Sequence, residues 1–125
     1  MKQSRQIMLG ALAAIGIAAA AHAEEKRMTG AEISAALTGN SVDGTWSGSE
    51  YRSYFDPGGT TIYQRKGTPA TQGRWSVKGD QYCSVWEPSG ESCYDLARDR
   101  DTIIWIVPST GTRNPSKLVQ GMALY

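Results

Sequence analysis

The sequence predicts a mainly β protein: a small antiparallel up-and-down barrel or sandwich of seven to eight strands, with one short N-terminal helix. Three observations carry that expectation. Short alternating or wholly apolar runs recur from residue 44 onward, separated by hairpin-length turn signals. Only one segment has helical spacing, so nothing is available as a crossover between parallel strands. Two cysteines stand ten positions apart around a Pro-Ser-Gly turn, which reads as a stapled hairpin.

The helix comes first. Thr29-Gly30-Ala31-Glu32 fits a capping box, Ile33, Ala36 and Leu37 follow at helical spacing, and Gly39 is a good stop. A helix over about 29–38 with so narrow an apolar face is expected to lie on the rest of the domain as a lid. Gly44–Gly48 then leads into a strand over 49–55, and Asp56-Pro57-Gly58-Gly59 turns it back through 60–66. Residues 67–73 read as a loop. A strand over 74–78 turns at Gly79-Asp80 into 81–86, and Glu87-Pro88-Ser89-Gly90 turns again into 91–97. Residues 98–101 turn into Thr102–Val107, which is apolar on both faces and should be the most buried strand. A polar loop with prolines at both ends (108–115) precedes a last strand over 117–125. Closing the sheet on itself would dispose of exposed edges.

The chain ends set the compartment and the chemistry. Lys2 and Arg5, the apolar run Ile7–Ala21 and the small-residue site Ala21-His22-Ala23 read as an export signal cleaved after Ala23. The run is too short to span a bilayer comfortably, so the mature chain is expected to have no integral membrane span and to be periplasmic or secreted. Removing 23 of the 125 residues leaves 102, enough for one domain over 24–125, with 24–28 read as an unstructured stub. The remaining 11 basic and 12 acidic residues give no reason to expect nucleic acid or an anionic membrane as partner. The one histidine, His22, leaves with the signal. That removes Ser-His and Cys-His activation, imidazole acid-base chemistry and most zinc or copper sites. No catalytic residue, metal or cofactor is therefore expected.

In an oxidising compartment the two cysteines most simply form one disulfide. A turn centred on Pro88 sets Cys83 opposite Cys93, Tyr82 opposite Tyr94 and Val85 opposite Glu91. The same alternation puts Tyr82, Ser84 and Trp86 on the face away from the bridge.

Four tryptophans, six tyrosines and one phenylalanine are many for so small a domain. Most are expected to fill the core, while others, with Trp75 and Trp86 as candidates, can wall a pocket for a small apolar or sugar-like ligand. Glu87 and Glu91 flank the hairpin tip and raise the alternative of a carboxylate-dependent hydrolase, although such a tip is normally solvated. Asp95, Asp99 and Asp101 are interleaved with Arg98 and Arg100 and read as a solvated turn rather than a calcium loop.

Taken in order, Leu37-Thr38-Gly39-Asn40, Asp56-Pro57-Gly58-Gly59, Gly73-Arg74-Trp75 and the cysteine hairpin resemble a family of small exported alphaproteobacterial proteins of unknown function, over Glu32–Thr102. That resemblance implies the domain boundary and the hairpin, and no activity. Gly44-Thr45-Trp46 is similar to the Gly-x-Trp opening of lipocalin and avidin barrels. Ser47-Gly48-Ser49-Glu50-Tyr51 is similar to the S-G-x-x-Y motif of periplasmic C-type lysozyme inhibitors, whose second motif, W-x-K-G, is approximated by Trp75–Gly79 with one residue more. This likeness implies an inhibitory loop carrying Ser47, Tyr51 and Lys78. The leading expectation is a non-catalytic periplasmic binding or envelope-associated module, its partner a small ligand or an envelope protein.

Overall fold

The computed structural model describes residues 25–125. The expected export signal and its cleavage point lie outside the described residues. No helix among the described residues is long and apolar enough to cross a membrane.

Eight antiparallel strands close into a barrel. β2 (Ser41–Trp46), β3 (Ser49–Phe55), β4 (Thr60–Arg65), β5 (Thr71–Lys78), β6 (Gln81–Val85), β7 (Glu91–Asp99), β8 (Thr102–Ile106) and β9 (Arg113–Val119) each pair with their sequence neighbour, and β9 returns to pair with β2. The expected up-and-down meander is thus a barrel and not a sandwich. The two-residue turn Ser47-Gly48 joins β2 to β3 with φ of 50° and 79°, the pair of left-handed conformations that matches strand twist in a tight hairpin. Thr102–Ile106 is buried at its three central positions, as its double-sided apolarity requires.

Two boundaries differ from the sequence expectation. Residues 25–28 are not a loose stub: β1 (Lys26–Arg27) pairs with Ala97 and Arg98 on β7, alongside the stretch that β6 leaves unpaired, and Met28 is buried. The short run Lys26-Arg27-Met28 carries no alternation long enough to announce a strand. The last strand begins at Arg113, inside the segment read as a loop, and ends at Val119. Proline cannot donate to a ladder, which is why the segment ending at Pro115 reads as a loop in the sequence. Here the pairing of β9 with β2 stops at Gly44 and Ser116, one residue before Pro115. The final residues instead run outside the barrel. The Ala123 N–H donates to Ser41 Oγ, the Tyr125 N–H donates to Gln64 Oε1, and the Arg52 guanidinium lies 4.5 Å from the Tyr125 ring centre.

The helix α1 (Gly30–Leu37) seals one end. Its capping box is complete: Thr29 Oγ1 accepts from the Glu32 N–H and Glu32 Oε1 accepts from the Thr29 N–H. Those bonds hold the Glu32 carboxyl below the usual carboxylate range. The Gly30 N–H donates to Asp80 Oδ1 in the β5–β6 turn, and the Gly39 N–H donates to the Phe55 carbonyl at the end of β3. Ile33 and Leu37, both with 0% exposure, enter one core cluster with Val42, Phe55, Leu96 and Ile103. Met28 and Ile33 stand at the positions of a hydrophobic staple and share that cluster. The lid expected from the sequence is therefore a plug whose apolar face completes the core.

Candidate functional site: an aromatic cup at the open end of the barrel

Strand alternation decides what the interior contains. Directly opposed residues of antiparallel neighbours share a face, and the pairs Val42–Ser53, Gly44–Tyr51, Ser53–Tyr63, Trp75–Ser84, Tyr82–Tyr94 and Leu96–Trp105 all face inward. Three layers result along the barrel axis.

The lowest layer is the apolar core under the helix. Above it lies a floor of interlocked rings. Phe55 meets Tyr82 at 5.7 Å and Trp105 at 6.1 Å, and Tyr82 meets Trp105 edge-on at 4.9 Å. The polar tips in this floor are satisfied. The Trp105 indole N–H donates to Ser116 Oγ at 2.9 Å, and Ser116 Oγ donates to the Ile103 carbonyl. The Trp75 indole N–H donates to the Asp56 carbonyl at 3.0 Å.

Above the floor is a cavity of about 340 Å³ that opens at the end opposite the helix. Its wall and mouth are formed by Trp46, Tyr51, Tyr63, Trp86 and Tyr94, with Ser53 and Ser84 between them. No carboxylate, ammonium or guanidinium is among the lining groups. Tyr51 and Tyr63 stack at 5.3 Å on one wall. β2 and β6 stand four strands apart in a ring of eight, so Trp46 and Trp86 rise from opposite sides of the mouth. Trp46 reaches Tyr94 on β7 edge-on at 5.8 Å, and Trp86 reaches Tyr63 on β4 at 6.0 Å.

Gly73 makes the position of Trp86 possible. A Cβ at residue 73 would stand 2.7 Å from two atoms of the Trp86 ring, so only a residue without a side chain lets the indole lie against β5. The Trp86 indole N–H donates to Ser84 Oγ at 3.2 Å, which fixes the ring further.

Burial controls the phenols. It pushes the hydroxyls of Tyr51 and Tyr82 well above the ordinary phenol range, and hydrogen bonds with Ser116, and with Ser84 and Thr61, offset this only in part. Burial raises Tyr63 and Tyr94 too, and the positive charge of Arg65 partly opposes the rise at Tyr63. All four are neutral at physiological pH. The hydroxyls of Ser53, Tyr63 and Tyr94 have no hydrogen-bond partner among the described residues.

The residues singled out in the sequence separate into three places. Tyr51 and Trp86 line the cup. Trp75 does not: it packs against Phe55 and Tyr82 below the floor. Ser47 is exposed at the β2–β3 turn at the open end. Lys78 lies at the end of β5 beside the turn that the helix covers, points outward, and its ammonium is 2.7 Å from Glu91. Ser47, Tyr51 and Lys78 are thus not brought together. Alternation predicted which side of β6 each residue takes, but a one-dimensional pattern does not say which end of an inward face stays open. Trp46, Ser53, Tyr63 and Tyr94 were missed for that reason. The signal that could have found them is the run of inward rings and hydroxyls Tyr51-x-Ser53 and Tyr82-x-Ser84-x-Trp86.

Cys83 and Cys93 stand directly opposite each other on the outer face and are bonded, with a Cα separation of 4.0 Å. Their sulfurs and Glu91 form a trio of metal-ligand type, but sulfurs joined to each other offer no thiolate. Glu91 is engaged with Lys78, Asp95 with Arg27 at 2.7 Å, and Asp101 with Lys117 at 3.9 Å. Glu87 is exposed in the β6–β7 loop. None of these carboxylates faces the cavity. A second concavity of about 420 Å³ beside the helix is basic, carrying Lys26, Arg27 and Arg98. There Arg27 is paired with Asp95, and the Arg98 Nε–H donates to the Arg100 carbonyl.

No family model matches the chain, and no match emerges among curated proteins or solved structures.

Proposed function

We propose that this protein is a non-catalytic binding module of the cell envelope that receives a small ring-bearing ligand in the cup at the open end of its barrel. One observation carries the reading: Trp46 and Trp86 stand at the mouth of an open cavity, while Trp105 is buried in its floor and Trp75 lies outside its lining. A barrel that served only as a scaffold would gain most by packing all four, because large rings are its chief source of buried area. This barrel is sealed at one end by a helix and hollow at the other. The cavity volume falls in the range of about 300–1,000 Å³ typical of small-molecule sites, and the mixture of rings with a few hydroxyls is the usual composition of such sites.

The absence of turnover is part of the reading. Ser53 and Ser84 are the aliphatic hydroxyls in the cup, and no imidazole, carboxylate or amine lines it to activate them. The phenols are held neutral by burial, so none acts as a base near pH 7.

A thermal-shift screen over neutral aromatics, glycosides and fatty acids tests this. A ligand at about 100 times its Kd adds roughly 2.7 kcal/mol of stability, which in a domain this size raises Tm by about 10 °C or more. Binding predicts such a rise for at least one class, lost in Trp46→Ala and Trp86→Ala. No shift in any class, with both variants as destabilised as Trp105→Ala, would show a purely structural barrel.

A further inference from the structure

The rim of the cup is not neutral. Arg65 is the last residue of β4 and stands directly opposite Tyr51 on β3. Opposed residues share a face, and Tyr51 faces inward, so Arg65 is directed to the mouth. Two further observations agree. The Arg65 Nη2–H donates to Ser49 Oγ at 3.5 Å, and Ser49 is itself opposed to Trp46 of the cup. The positive charge of Arg65 is also felt at the Tyr63 hydroxyl.

Among the described residues Arg65 has no carboxylate partner, whereas its neighbour Lys66 is paired with Glu50 at 3.5 Å. Glu87, in the loop beyond β6, lies two strands round from Arg65. Arg65 thus presents a cation without a carboxylate partner on the side of the mouth formed by the stacked Tyr51 and Tyr63 rings.

We infer that the cup takes an aromatic acid: a flat, uncharged ring system held inside, with an anionic group left at the mouth on Arg65. This deepens the binding reading and rests on it. An ion placed inside the cup would lose its water with no counter-charge among the lining groups. At the mouth the same ion keeps water on one side and meets a guanidinium that presents a planar fork of donors.

The ring follows from the polar inventory. A sugar brings four or five hydroxyls, each needing a partner when buried. The cup offers three hydroxyls without partners, at Ser53, Tyr63 and Tyr94. A flat ring needs few such bonds and finds stacking surfaces on Trp46, Trp86, Tyr51 and Tyr63. The size agrees, since about 340 Å³ is the liquid volume of roughly eleven waters, close to one or two fused rings. A long acyl chain in extended form is disfavoured by shape, because the Phe55–Tyr82–Trp105 floor blocks the way to the helix end.

Calorimetric titration at neutral pH and low salt, on the protein with the disulfide formed, separates the possibilities. The probes are naphthalene-2-carboxylate, 2-naphthol, methyl β-glucopyranoside and dodecanoate. The expected order is carboxylate first, about two- to fivefold tighter than 2-naphthol, as one partly screened ion pair supplies. Arg65→Gln, a surface change that leaves the fold intact, brings the two aromatics level, and 0.5 M salt narrows their gap in the wild type. Equal binding of both aromatics in the wild type, or an unchanged preference in Arg65→Gln, overturns the assignment of the acid to Arg65 while the binding reading stands. Tighter binding of the glycoside or of dodecanoate, lost in Trp86→Ala, overturns the aromatic class alone. No heat with any probe overturns both.

Discussion

The indole of Trp46 meets the ring of Tyr94 edge-on at 5.8 Å, although β2 and β7 are three strands apart in the barrel. Two inward side chains thus touch across the mouth and not along the sheet. That contact sets the upper limit of the cavity, as the Phe55–Tyr82–Trp105 cluster sets the lower one. A guest must pass beside or displace Trp46, whose ring is half-buried. The tryptophans should accordingly differ in what their removal costs. Trp105→Ala empties a site 6% exposed and should cost about 3–5 kcal/mol. Trp46→Ala removes a ring that borders open space and should cost less than about 2 kcal/mol by the same accounting. Urea unfolding of the two variants checks the difference.

Gly73 is the simplest lever on the cup that touches no ligand atom. In Gly73→Ala the new methyl group would stand 2.7 Å from both the Trp86 ring and the Val85 carbonyl oxygen, so the indole must swing off β5 and into the cavity and the end of β6 must give locally. The expected result is a change in the indole signal of Trp86 and at least tenfold weaker binding of an aromatic probe. Circular dichroism should still report the barrel.

The Cys83–Cys93 bridge lies on the outer face, away from the cup. Replacing both cysteines by alanine opens a short loop and should lower stability by about 3 kcal/mol or less. That corresponds to a fall in Tm of roughly 10–20 °C by scanning calorimetry. Ligand affinity measured well below the new Tm should be unchanged, because Ser84 and Tyr82 stay on the inward face of a hairpin whose register the Glu87–Gly90 turn still fixes.

The buried phenols give the protein an alkaline limit. The folded-state pKa values of Tyr51 and Tyr82 lie above the unfolded value, with burial the main cause, so the unfolded chain loses these protons first. Their contribution is intact below about pH 10, the ordinary phenol value, and declines as pH rises beyond it. The loss approaches about 1.4 kcal/mol per pH unit for each phenol. Denaturant titrations from pH 8 to 11.5 should show a flat region and then a steep fall. Tyr82→Phe should make that fall shallower.

Much of the architecture was legible because each signal was local. The Thr29–Glu32 box, the Gly79-Asp80 turn and the Cys83–Cys93 register each depend on residues close in sequence, and each appears as read. Closure was only one of two options in the sequence, because the β9–β2 pairing joins the two ends of the sheet and leaves no local mark. The strand at Lys26–Arg27 was invisible because its hydrogen bonds come from Ala97 and Arg98, seventy residues away.

The cup was half legible. Tyr51 and Trp86 could be named from alternation, but Trp75 is equally inward on β5 and lies on the wrong side of the floor. Depth along a barrel is set by strand stagger, which no single strand encodes. Arg65 was not singled out because it ends a strand at a basic pair, Arg65-Lys66, which reads as an ordinary solvated turn. Only its opposition to Tyr51 shows that it faces the mouth.

The most direct test is the indole region of the nitrogen–proton spectrum, which gives one signal for each of the four tryptophans, recorded while an aromatic probe such as naphthalene-2-carboxylate is added. Large, saturable shifts are expected for Trp46 and Trp86, which stand at the mouth of the cup, and small ones for Trp75 and Trp105, which pack against Phe55 and Tyr82 at and below its floor. Four signals that do not move, or movement confined to Trp75 and Trp105, would contradict the binding reading.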